Sequence, residues 1–125
     1  HGQLATAVME TVELITGRQD YVEAIGLKNT DPGTEFNQKL EEKIDSLKNQ
    51  GCEEVLILLD LIGGTPCNQT IELMRENKFH AITGVNLPMA IAVVLEDREN
   101  IEMEDLVAAA TEQAKEGIVD LYDIL

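Results

Sequence analysis

Residues 55–69 read VLILLDLIGGTPCNQ, and this stretch decides the fold. Residues 55–59 are apolar without alternation, the pattern of a central parallel strand covered on both faces. Asp60 ends the run. Gly63 and Gly64 permit a tight turn, and Pro66 is placed to begin a helix at its first turn, continuing through IELMREN. Strand, glycine turn and helix in that order form the repeating unit of an α/β fold.

Working outward, Leu4, Val8, Val12 and Ile15 recur at spacings of three and four and predict an amphipathic helix over residues 3–16, with Gly17 as its C-cap. YVEAIGL, residues 21–27, alternates and predicts a short strand. A turn at DPGT, residues 31–34, precedes a second helix marked by Phe36, Leu40, Ile44 and Leu47. Downstream, HAITG at 80–84 reads as a strand and VNLP as the loop leaving it. Residues 89–95 form an apolar helix, EDREN a turn, residues 104–116 a helix closed by Gly117, and IVDLYDIL a strand-like tail. The expectation is a three-layer, flavodoxin-like α/β sandwich around a mostly parallel sheet. Such folds normally start with a strand, whereas this chain opens at a loop-to-helix junction.

Composition narrows the function. At 125 residues and without linker or repeat, the chain fits one domain spanning residues 1–125. Its 24 acids against nine Lys and Arg, a net charge of −15, argue against binding nucleic acid or an anionic membrane. The same charge would repel a free phosphorylated metabolite, so a phosphate handled here must be held by local dipoles or delivered by a partly basic partner. Cys52 and Cys67 form no CxxC pair and have no metal-ligand spacing, which suits a reducing cytoplasm. No apolar run approaches the roughly 18 residues of a membrane span.

Ligands of open parallel sheets bind at the carboxyl ends of the strands, beside helix N-termini. Three loops belong there: His1-Gly2, the loop from Asp60 to Pro66, and the GVNLP loop at 84–88. A lone Asp at the end of a buried strand is ordinarily an N-cap or bonded to loop amides. A histidine within reach changes that reading. If Asp60 accepts a hydrogen bond from one ring nitrogen of His1, the tautomer is fixed and the other nitrogen is left as a nucleophile. Gly63, Gly64 and Thr65 leave backbone amides and a hydroxyl at a helix start, where an anion is favoured, although a tight turn needs glycine anyway. GGTP lacks the lysine of a nucleotide-binding P-loop. His80 has no evident partner and reads as structural. Met9, Met74, Met89 and Met103 read as core filling, and Arg75 as a solvated surface charge.

Taken together, the HGxLA opening, DLIGGTPCN and GVNLPM resemble the enzyme IIA domain of the mannose/fructose/sorbose family of the bacterial phosphoenolpyruvate-dependent sugar phosphotransferase system. All three motifs stand in the family's order, and the resemblance covers essentially the whole chain. It implies that His1 is phosphorylated by the phosphocarrier protein HPr, that Asp60 orients its imidazole, and that Gly63, Gly64 and Thr65 hold the phosphoryl group. From there the group would pass to a IIB component and through it serve membrane IIC and IID. It further implies a cytoplasmic homodimer in which IVDLYDIL is exchanged between subunits, and a relay needing neither metal nor nucleotide as cofactor. The family carries an apolar strand ahead of its HG pair, and nothing precedes His1. That first strand is expected to have been trimmed, since a sheet without it would leave apolar faces uncovered.

Two other readings use the same residues. A IIA-like domain of a larger transcriptional or signalling regulator would use phosphorylation of the histidine as a signal. A small hydrolase with Asp60 as nucleophile would call for a second acid or a cation in these loops, and the sequence places neither there.

Overall fold

The computed structural model of the chain describes residues 1–28 and 32–125. Their regular elements are α1 (Leu4–Thr16), α2 (Gly33–Asn49), β1 (Leu56–Leu58), α3 (Thr65–Glu76), β2 (His80–Ile82), α4 (Leu87–Leu95) and α5 (Met103–Glu116). The two strands are parallel, with Leu56 opposite His80 and Leu58 opposite Ile82, so α3 is the crossover that parallel pairing requires. Of the predicted turn at 31–34, Asp31 lies outside the described residues and Pro32 is the N-cap of α2.

The two faces of the sheet explain why β1 is apolar throughout. Successive strand residues point to opposite faces. Ile57 packs with Ile25 and Leu27 against Phe36, Leu40 and Ile44 of α2 and Leu73 of α3. Leu58, Ile82 and Val85 pack on the other side against Met89 of α4 and Ala110 and Ala114 of α5. Helices therefore cover both faces, and the expected three layers are present. α1 lies against α4.

The sheet is smaller than the alternation of YVEAIGL predicts. Residues 22–28 form no strand, although Ile25 and Leu27 do turn inward as the alternation requires. The reason lies at the free edge of β1. The Leu59 amide donates to the Ile82 carbonyl (2.8 Å) and the His80 amide to Val55 (3.3 Å). Every second residue thus faces β2, and the backbone groups of Leu56 and Leu58 face the opposite edge. Among the described residues no strand pairs there. A cavity of about 860 Å³ is lined by Val8, Val12, Ile25, Leu56, Leu58 and Ala90 among others. Residues 22–28 are held by other contacts. The Leu27 carbonyl accepts from the Gly2 amide (2.8 Å), and Glu23 pairs with Lys43 of α2 (3.2 Å).

The tail also departs from its expected strand. Residues 118–120 are irregular and Leu121–Ile124 form a 3-10 turn, in which Asp120 accepts from the Tyr122 amide at 3.0 Å. Ile118, Leu121, Tyr122 and Leu125 are all largely exposed. Among the described residues this segment pairs with no strand.

The GVNLP loop is a joint between helices. The Asn86 carboxamide oxygen accepts from the Met89 amide (2.9 Å) and caps α4, while its nitrogen donates to the Ala114 carbonyl of α5 (3.0 Å). Pro88 sits so close to Gly117 that a Cβ there would stand 2.4 Å from its ring. Asn86→Ala is expected to lower stability by about 1–2 kcal/mol through loss of the cap. A urea titration unchanged from the parent would contradict that role.

Candidate functional site

The site forms where β1 and β2 end. Past the strands, the Val85 amide donates to the Leu59 carbonyl (3.0 Å) and the Gly84 amide to the Asp60 carbonyl (3.2 Å), so the loop after β2 braces the backbone of the acid. The His1-Gly2 turn, immediately before α1, comes to the same place. Asp60 Oδ2 lies 2.6 Å from His1 Nδ1, and Oδ1 accepts from the Leu61 amide at 2.7 Å. The acid and the ring are 59 positions apart in the chain.

These contacts fix the chemistry of the ring. Asp60 in its carboxylate form can only accept, so Nδ1 carries the proton and Nε2 presents a lone pair. The imidazole is 42% exposed and the carboxyl 13%, which leaves the ring accessible from solvent and the acid behind it.

Gly64 bounds the other side of the ring. A Cβ there would stand 2.6 Å from His1 Cε1 and 3.1 Å from Nε2. Its φ of −79° and ψ of 170° suit any residue, so glycine is required by the imidazole and not by the backbone. Gly64 also caps α3 without a side-chain bond; Thr65 is the first helical residue and Pro66 the second. The Asn68 amide returns to the Gly64 carbonyl at 2.9 Å, which leaves the earlier amides, Thr65 and Cys67, at a helix N-terminus facing the loop. Gly63 adopts φ +85° and is exposed.

Thus His1, Asp60 and Gly64 are brought together, with Gly63 and Thr65 flanking Gly64 in the chain. His80 opens β2 at the opposite end of the strand, and Arg75 pairs with Glu72 on the surface of α3 (3.3 Å). Cys52 and Cys67 are unpaired thiols, the latter buried. Three contributors escaped the sequence reading: the Leu61 amide, the Gly84 amide and the capping role of Asn86. For Asn86 a signal existed, since Asn two residues before Pro is a helix-start signature.

The family model EIIA-man, described as the PTS system fructose IIA component, matches residues 1–111. The chain belongs to this family. Among its IIA relatives, the PTS system mannose-specific EIIAB component of Escherichia coli K12 is 29% identical over 125 residues, taking in 94% of this chain and 36% of that protein. The chain therefore spans little more than a third of that relative's length. The PTS system fructose-specific EIIA component of Bacillus subtilis is 28% identical, over 85% of this chain and 71% of that protein. The crystal structure of phosphotransferase system component EIIA from Streptococcus agalactiae superposes with a TM-score of 0.87 at 31% identity, covering 98% of this chain and 93% of that one. The mannose/sorbose-specific IIA subunit from Enterococcus faecalis gives 0.79 at 28%, covering 96% and 88%. The α/β arrangement with its small parallel sheet is thus that of phosphotransferase-system IIA proteins, and membership supports a part in sugar phosphotransfer. No helix among the described residues is long and apolar enough to cross a membrane.

Proposed function

We propose that the chain is a single IIA domain and a cytoplasmic phosphoryl carrier in sugar uptake, with His1 as the residue that carries the group. Nε2 of His1 attacks the phosphorus of phosphohistidine on HPr. A P–N bond forms at Nε2 as the one on HPr breaks, and the electron pair of the broken bond returns to the donor's imidazole. Asp60 keeps the proton on Nδ1 and offsets the positive charge that grows on the ring. Donors near Gly63, Gly64 and Thr65 stabilise the phosphoryl oxygens, whose charge peaks in the loose transition state. The reverse of this step, with a IIB component as acceptor, discharges the group towards membrane IIC and IID.

The observation that carries this reading is the 2.6 Å contact between Nδ1 and Asp60, with Nε2 left over and facing the glycine turn. With a net charge of −15 and no Lys or Arg within the three loops, neutral amides supply the stabilisation on this side and a basic partner surface supplies the rest. We further propose a homodimer built by exchange of residues 118–125, a reading supported by the exposed apolar side chains of that tail.

Incubation with phosphoenolpyruvate, enzyme I and HPr, followed by intact mass, tests the reading: one acid-labile phosphoryl group is expected. A folded protein that gains none would overturn it. Gly64→Ala is expected to fold and to accept the group at least about tenfold more slowly, because its methyl displaces the ring from Asp60. Uptake at the parent rate would mean that the ring does not sit against that turn.

A further inference from the structure

Gly26 belongs to none of the three loops, yet it touches the backbone that carries the histidine. A Cβ at this position would stand 2.1 Å from the Gly2 carbonyl oxygen and 3.3 Å from its carbon. Gly26 is not among the glycines with positive φ, so its backbone would suit alanine and only this neighbour forbids one. One residue on, the Leu27 carbonyl accepts the Gly2 amide at 2.8 Å. Gly2 therefore rests on this segment through both its N–H and its C=O. The segment is itself anchored, because Ile25 and Leu27 pack against the α2 and α3 cluster and Glu23 is paired with Lys43.

We infer that Gly26 is a positioning residue for His1: the missing side chain sets how closely the His1-Gly2 turn approaches the core, and hence where the imidazole stands relative to Asp60 and Gly64. The effect on rate rests on the reading of His1 as phosphoryl acceptor, whereas the effect on the ring does not. An alanine methyl can be accommodated only if the Gly2 carbonyl retreats by about 1 Å or residues 22–28 withdraw and release the Gly2 amide. Displacement of that size at a reacting group lowers rates on the order of 100-fold.

The test compares the parent protein with Gly26→Ala, both labelled with 15N-histidine. His80 lies at the far end of β2 and serves as an internal reference. In the folded variant the His80 ring signals should be unchanged, while the His1 nitrogens move from a single Nδ1–H tautomer towards an averaged pair. Phosphoryl uptake from HPr should fall about 100-fold. His1 signals and uptake both equal to the parent's would overturn the inference. If the parent takes up no phosphoryl group but its His1 ring still responds to Gly26→Ala, the positioning role stands and the carrier reading fails. Should the variant not fold, amide exchange in the parent decides: protection of the Gly2 N–H supports the contact with Leu27, and exchange at the rate of an unstructured peptide overturns it.

Discussion

His1→Gln is expected to take up no phosphoryl group at all when incubated with phosphoenolpyruvate, enzyme I and HPr. Glutamine keeps much of the size and polarity of the imidazole, and its nitrogen can still donate towards Asp60. What it lacks is a basic lone pair, because the amide nitrogen's electrons are delocalised into the carbonyl. The loss should be complete and not partial, since the second histidine, His80, sits at the other end of β2 and its ring is bonded to no acid among the described residues. Intact mass before and after acid treatment reads the outcome directly. A variant that still gains an acid-labile group would move the chemistry to another residue.

Asp60→Asn should leave the fold in place and slow uptake by up to about 10⁴-fold, the loss that follows when an orienting acid becomes an amide. The carboxamide can present its N–H₂ to Nδ1, which stabilises the wrong tautomer and puts the proton on Nε2. A rate within a factor of two of the parent would remove Asp60 from the mechanism.

Much of this architecture was legible in residue spacing, because spacing reports burial. The apolar row of Phe36, Leu40 and Ile44 on α2 points at a core, and the run at 55–59 is apolar because helices meet both sides of β1. Residues 21–27 show where that signal ends. Ile25 and Leu27 face inward as their alternation demands, but a strand also needs a neighbouring backbone, and burial carries no information about one. The tail at 118–125 fails the same way: its apolar residues mark a surface that wants covering and do not say by what.

The site was legible to a different degree. Asp60, Gly63, Gly64 and Thr65 stand out locally as a strand end and a glycine turn. Their relation to His1 spans most of the chain, and only the shared order of three motifs pointed to it. The close approach of Gly26 to Gly2 was not legible. A glycine in an alternating stretch signals that something comes near, and only the folded backbone identifies what.

Asp60 is bonded at three points: its carbonyl receives the Gly84 amide, one carboxyl oxygen the Leu61 amide, and the other the ring of His1. The entropy of placing acid and imidazole together was therefore surrendered when the chain folded, and none remains to be lost at each meeting with a partner. Under the proposed carrier function, a phosphorylated donor that diffuses up to this surface would find the acceptor already aimed. Encounter and transfer would then follow one another without a rearrangement between them, as a relay between successive partners requires.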